Sequence, residues 1–259
     1  MINKKIFKNS ATYKLKKGKY IFKKIEASEI VDGLDGFKNK IKKFQKLYYF
    51  LIYAISPVYV DGSVRKFLKR FYKKDDIVLN LGSGNSIINK NVINVDIFQY
   101  GNVDIVCDIS DLPFEDKSID IILNLAVLEH VKEPSEIIKE VQRVLKDGGI
   151  VYTAFPFIQG FHASPYDFTR VTREGILHLH RDFDIIAVKP FGGPTSGMLW
   201  ILQEWLAIAF SFGNKKIYTA LYFLFLILLS PLKFLDYFLI KHPMAKNIAS
   251  GFACIAKKR

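Results

Sequence analysis

The strongest constraint on this chain is the stretch from Asp75 to Phe155, where short apolar runs alternate with turn residues and one clear helical pattern. Ile77–Leu81 (IVLNL) reads as a buried strand ending in Gly82-Ser83-Gly84. Val92–Val95 reads as a second, ending at Asp96, and Asp104–Cys107 as a third, ending at Asp108. Ile119–Leu123 makes a fourth. Pro134–Leu145 sets Ile137, Ile138, Val141 and Leu145 at helical spacing and is stopped by Gly148-Gly149, before a fifth strand at Ile150–Phe155. Strands joined by helical connections predict an α/β fold with a doubly wound, mostly parallel sheet, whose ligands sit at the carboxyl ends of the strands.

A strand entering a glycine turn lets a ligand approach the backbone closely, and an acid ending the next strand can accept both hydroxyls of a ribose. Gly82 and Gly84 supply that turn and Asp96 that acid. The dinucleotide spacing GxGxxG fails, because position 87 is Ile87.

Around this turn lie LNLGSGNS (Leu79–Ser86), NVDIF (Asn94–Phe98), CDISDLPFEDKSIDIILNLAVLEHV (Cys107–Val131) and EVQRVLKDGGIVYTAFP (Glu140–Pro156), in that order. The series resembles the class I S-adenosylmethionine-dependent methyltransferases, in particular a bacterial group marked by LEHV and often associated with cell-surface polysaccharide synthesis. The resemblance covers about residues 65–195 and resumes in the last strand, Gly251–Lys257. It implies a Rossmann-like sheet closed by an antiparallel last strand, with S-adenosyl-L-methionine as cofactor. It also implies that Asn80, Leu81, Gly82, Ser83 and Gly84 lie along the methionine part. Asp96 and Ile97 would hold the ribose, Asp108 and Ile109 would face the adenine, and Asn124 and Leu125 would line the sulfonium end. Two positions depart from the family pattern: Asn80 stands where an acid is usual, and Ser86 where a third glycine is common.

Methyl transfer is an in-line displacement that depends on positioning, helped by a base when the acceptor is a hydroxyl or amine. His130 follows the fourth strand. The loop Phe161–Ile176 (FHASPYDFTRVTREGI), which resembles the group's HxxPYDFxRYT stretch, brings His162 and Asp167 after the fifth. His162 is the first candidate for a base. His130 also reads as a group that orients its turn, and Asp167 as an ion-pair partner of Arg170. No pair among His178, His180 and His242 comes with carboxylates at metal-ligand spacing, and no metal is expected.

Charge and hydrophobicity are unevenly placed. Residues 1–74 hold 20 Lys/Arg against 5 Asp/Glu, whereas residues 75–259 hold 18 against 20. Met198–Phe212 and Ile217–Ile240 are intensely apolar, separated by Gly213-Asn214-Lys215-Lys216, between an expected strand at Phe183–Pro190 and the last one. Both ends of this insert belong to one sheet, and neither Met198–Phe212, with Gln203 and Glu204, nor Ile217–Leu232, ended by Ser230-Pro231-Leu232, is a comfortable span of a roughly 30 Å hydrocarbon core. A helical hairpin lying in or dipping into one leaflet fits, and the basic segment would be drawn to an anionic surface. Packing on the core or pairing in a homodimer would also cover these helices, and a solvated or RNA-bound arm is the other reading of the lysines. No RNA-binding signature is present, so no nucleic-acid partner is expected.

The division predicted is therefore 1–62, a basic arm with an apolar helix; 63–197, the cofactor-binding core; 198–245, the apolar hairpin; and 246–259, the last strand. The start has no apolar stretch suited to a signal peptide. Cys107 and Cys254 read as buried and reduced. A cytoplasmic enzyme, peripheral or monotopic on the membrane face, follows as the expectation. Its acceptor would be lipid-linked or lipophilic, with a quinone-type substrate or a non-catalytic scaffold as alternatives.

Overall fold

The structure is a computed structural model that describes residues 4–22, 55–59, 61–163 and 165–259. Most of the expected apolar helix near Leu47–Val60 lies outside the described residues. The strands are β1 (Lys14–Lys16), β2 (Lys19–Ile21), β3 (Val78–Leu81), β4 (Val92–Asp96), β5 (Ile105–Val106), β6 (Ile119–Leu125), β7 (Leu145–Pro156), β8 (Phe183–Phe191) and β9 (Gly251–Lys258). They form one sheet in the order β1-β2-β5-β4-β3-β6-β7-β9-β8. From β2 to β7 every neighbouring pair is parallel. β9 then runs antiparallel to both β7 and β8. The expected Rossmann-like sheet with an antiparallel last strand is what forms.

The helices are α1 (Ser63–Phe71), α2 (Pro134–Val144), α3 (Arg173–Leu179), α4 (Pro194–Ser211), α5 (Lys215–Leu229) and α6 (Asp236–Leu239). Because β3 is buried on both faces, its residues belong to two cores. Leu79 and Leu81 join Ile122, Val151, Phe155 and the α2 residues Ile137, Ile138 and Val141. Val78 joins Ile121, Leu123, Tyr152 and the α1 residue Phe67. Unbroken burial is what a central parallel strand requires.

The structure departs from the sequence reading in four places. First, no helix follows the glycine turn: Gly82–Asn91 crosses from β3 to β4 through turns alone, and the next two crossovers are also without α-helix. Ten residues are too few for a helix plus its two turns. Second, the basic segment is not wholly an arm. β2 pairs with β5, and Phe7 packs among Tyr13, Tyr20, Phe22 and Phe114, so aromatic burial ties this lysine-rich stretch to the sheet edge. Third, Ser63, whose place before Val64, Phe67, Leu68 and Phe71 in the sequence suits a helix N-cap, is instead the first residue of α1; its hydroxyl pairs with Tyr152 Oη at 2.8 Å. Fourth, Gly148-Gly149 lies inside β7 as a bulge and not at a helix end, with the register stepping between Ile119↔Leu145 and Ile121↔Ile150.

The apolar insert is an antiparallel pair, α4 and α5, and a 3₁₀ turn over Ser230–Leu235 carries the chain past Pro231 into α6. The helical path Lys215–Leu239 thus exceeds the length read from sequence and is long and apolar enough to cross a membrane. Its far end returns to the start of α4: the buried Asp236 carboxylate accepts from Thr195 N (2.9 Å), Ser196 N (2.8 Å) and Ser196 Oγ (2.6 Å). Gly193 leaves the room this needs, since a β-carbon there would meet Asp236 at 2.4 Å. Both ends of the hairpin are therefore at the sheet and its tip, Phe212-Gly213, points away.

Candidate active site at the carboxyl edge of the sheet

Four adjacent strands, β5, β4, β3 and β6, end side by side, which brings the residues singled out from sequence onto one edge. Gly82 has φ 59°, and a β-carbon on it would lie 2.5 Å from Val127 Cγ1. Gly84 has φ 53° with open space where a β-carbon would be. The first glycine admits the β6 turn, and the second leaves room for a ligand against the backbone.

The Asp96 carboxylate is buried and braced. Oδ2 accepts from Gly84 N at 2.7 Å and Oδ1 from Phe98 N at 2.8 Å, each oxygen keeping a lone pair for a hydroxyl. Burial lifts its pKa above the ordinary carboxylate value, against the pull of the Phe98, Gly84 and Ile97 amides. Ile97 is half-buried beside it and Ile109 is buried. Asp108 Oδ1 accepts from Ser110 N (3.0 Å) and Ser110 Oγ (2.7 Å), which closes the turn after β5.

Asn80 turns away from this edge to its neighbour strand, its Nδ2 donating to Asn94 Oδ1 at 3.2 Å, while Leu81 is core. Ser83 N donates to Val95 O and is also largely buried. Asn124 stands next to Leu81 in register, fully buried, and neither its Nδ2 nor its Oδ1 has a hydrogen-bond partner among the described residues. Leu125 is half-buried beyond it. An orphaned amide, an open glycine turn and a braced carboxylate suit a ligand that carries hydroxyls and amino-acid groups, as S-adenosylmethionine does. Asp96 would hold the ribose hydroxyls, the Gly82–Gly84 backbone the methionine part, and the Asp108–Ser110 turn the adenine.

A second layer of side chains surrounds the LEH turn, a 3₁₀ turn at Leu128–His130. The loop after β7 docks on it: Phe168 N donates to Glu129 O at 2.7 Å, and His130 Nδ1 lies 2.6 Å from Tyr166 O. Asp167 is gripped by both terminal nitrogens of Arg170 and accepts from His162 N at 2.8 Å. Burial opposes its charge, but Arg170 and the His162 amide outweigh that and hold its pKa below the ordinary value.

His162 has its Nδ1 on Gly160 O at 2.9 Å, its Nε2 3.7 Å from Glu129 Oε1, and its ring against Trp200 of α4 with centroids 5.2 Å apart. Burial disfavours the charged ring, yet Glu129, the Gly160 carbonyl and Asp167 prevail over it and over Arg170, and the pKa is raised. The structure places His130, His162 and Asp167 side by side. It adds two residues that the sequence reading leaves out: Glu129, buried within a motif read for its histidine, and Trp200, read as part of an apolar run.

A sheet of this order, with a glycine turn and three strand-end carboxylate and amide groups around one edge, is similar to that of class I methyltransferase domains, and its residues fit S-adenosylmethionine. The profile of a family described as "Methyltransferase domain" matches residues 80–153, the segment that carries these groups. A curated protein of Encephalitozoon cuniculi (strain GB-M1), named provisionally as a methyltransferase, is 34% identical over a 102-residue alignment that covers 34% of this chain and 49% of that protein. The chain thus matches about half the length of that relative. Among solved structures, an S-adenosylmethionine-dependent methyltransferase of Methanosarcina mazei is similar at 18% identity and TM-score 0.44, over 74% of this chain and 96% of its own. The Burkholderia thailandensis 1,6-didemethyltoxoflavin-N1-methyltransferase, solved with S-adenosylhomocysteine, is similar at 12% identity and TM-score 0.47, over 86% of each chain. These similarities carry nothing about the acceptor.

Proposed function

We propose that this protein transfers a methyl group from S-adenosylmethionine to a membrane-associated acceptor, with a lipid-linked glycan intermediate as the favoured class, and that it belongs to the LEHV group. Bound at the glycine turn, the cofactor supplies an electrophilic methyl on a sulfonium sulfur. The chain's own part is to hold the acceptor at the edge beside His130 and His162 and to shed its proton there.

One observation carries the membrane part: the hairpin is joined to the site through Trp200, whose ring lies on His162. Gly160 makes this contact possible, because a β-carbon there would stand 2.7 Å from Trp200 Nε1. Whatever the hairpin touches is therefore next to the polar cluster. Trp205, Ile208 and Phe212 on and after α4, and Leu224, Ile227 and Leu228 on α5, are all exposed, with Phe212 at 88%. An exposed apolar surface of this extent fits a lipid interface. Asn214, Lys215 and Lys216 at the tip favour a hairpin lying along the interface, its lysines at the headgroups, over one inserted tip first. The net positive charge of residues 1–74 adds attraction to anionic lipid of about 1 kcal/mol per residue near the surface.

Flotation tests this reading. The purified chain should rise with phosphatidylglycerol-containing vesicles and less with neutral ones, and Trp205→Glu with Ile208→Glu should leave it in the dense fraction. A wild-type chain that stays at the bottom with both vesicle types sinks the membrane reading and leaves the cofactor site untouched.

A further inference from the structure

Glu129 is completely buried, and neither of its carboxylate oxygens has a hydrogen-bond partner among the described residues. A desolvated, unpaired carboxylate is costly, by several kcal/mol unless something neutralises it. What faces it is unusual. His162 Nε2 lies 3.7 Å and His130 Nε2 3.8 Å from Oε1, both too long for hydrogen bonds. One ligand atom from each of the three residues lies within 4.8 Å of the other two.

The other ring nitrogens settle which atoms are lone pairs. His130 Nδ1 is on the Tyr166 carbonyl at 2.6 Å, and His162 Nδ1 on the Gly160 carbonyl at 2.9 Å. A carbonyl only accepts, so each Nδ1 carries a hydrogen, and once any second proton has left for an incoming ion each ring turns a bare Nε2 toward Glu129. Arg170 Nη2 also approaches His162 Nδ1 at 3.1 Å, but it has Gly160 O and Asp167 as acceptors. Three acceptors converge, and no donor from the described residues stands between them. A carbonyl fixing the outer nitrogen of each imidazole is the arrangement that orients metal-ligating histidines.

We propose that Glu129, His130 and His162 bind one divalent transition-metal ion, of the kind that two imidazoles and a carboxylate select, such as Zn²⁺, Co²⁺ or Mn²⁺. Tetrahedral ligands at about 2.0–2.1 Å from an ion sit roughly 3.4 Å apart, so two of the separations need to contract by only a few tenths of an ångström. His130 also lines a groove of about 720 Å³ shared with Tyr166, Phe168 and Asp108, through which ion and acceptor would reach the cluster. The part this ion plays in catalysis rests on the methyl-transfer reading above. An acceptor hydroxyl whose oxygen is bound to the ion is acidified and loses its proton to solvent. His162 then acts as a ligand and needs no proton of its own. The expectation of no metal follows from the spacing of His178, His180 and His242, which leaves Glu129 out.

The test uses the full chain, stripped with a chelator and titrated with Co²⁺ alone, with neither cofactor nor acceptor present. One equivalent should bind and give visible ligand-field absorption that Zn²⁺ bleaches. Glu129→Gln, His130→Gln and His162→Gln should each weaken binding about 100-fold or more. The two histidine variants, at partly exposed positions, keep the test valid if Glu129→Gln does not fold. S-adenosylmethionine binding by calorimetry reports separately on the cofactor site. No Co²⁺ or Zn²⁺ binding to the wild type at ~100 µM, or variants that bind as it does, overturns the proposal and leaves a buried His–Glu ion pair.

Discussion

Gly84 donates its amide hydrogen to Asp96 Oδ2 over 2.7 Å, so the glycine turn after β3 and the acid ending β4 are one unit. The bond aims the carboxylate before any ligand arrives, and Phe98 N holds the second oxygen. Preorganisation of this kind removes part of the entropic cost of binding. Hydrogen bonds from hydroxyls to a charged carboxylate contribute about 1.5–3 kcal/mol each. Asp96→Asn should therefore lower S-adenosylmethionine affinity about 10–100-fold, measured by titration calorimetry. A loss under about threefold removes Asp96 from the ribose site.

Gly82 tests the turn itself. Gly82→Ala combines a left-handed backbone at φ 59° with a clash against Val127. Its cost should be about 2–4 kcal/mol in urea denaturation. Adding Val127→Ala should recover the packing share and leave the backbone share of about 1–2 kcal/mol. A Gly82→Ala variant as stable as the wild type contradicts the geometry.

His180 predicts an acid limb. It is buried, bonded to Thr153 Oγ1 at 2.9 Å and to Ile176 O at 2.9 Å, and burial drives its pKa from 6.5 down to about 4. The unfolded chain takes up the proton first as pH falls. Stability is thus full above about pH 6.5 and declines toward pH 4, by about 3 kcal/mol from this group. His180→Gln should flatten that part of the stability–pH curve, whatever its effect at neutral pH. An unchanged slope in denaturant melts between pH 6.5 and 4 would show that His180 is not the source.

Arg170 holds the loop after β7 through Asp167. Arg170→Met leaves a largely buried carboxylate without its cation, and Asp167 should then titrate at higher pH. Hydrogen exchange at residues 160–170 should speed up by about 10-fold or more, the equivalent of one to two kcal/mol of local stability. Exchange in β3 and β6 should not change. If the loop stays as protected as before, the ion pair is not what orders it.

The carboxyl edge is legible in the sequence because strand ends in a parallel sheet fall on a shared line. Gly82, Gly84, Asp96, Asp108 and Asn124 need only correct strand ends to be placed together. The missing helix after Gly84 is not disclosed, since a glycine turn looks the same whether a helix or a loop follows. β1 and β2 are hidden because three-residue strands carry too few residues for a period, and their lysines outweigh Phe7 and Tyr20 in the pattern. Glu129 is hidden for another reason. Burial of a charged residue is a tertiary fact, and the histidine beside it draws the chemical attention. The same holds for Trp200, one aromatic residue in an apolar run until the hairpin folds back on His162.

Methyl transfer to an acceptor in the membrane is the central claim. Methyl-labelled S-adenosylmethionine incubated with the protein and membranes that lack it tests this most directly, with label followed into the solvent-extracted lipid fraction. Label should appear in that fraction and be lost with Asp96→Asn in proportion to its cofactor affinity. Label that goes only to water-soluble products, or a wild-type protein that binds the cofactor and labels nothing, would contradict it.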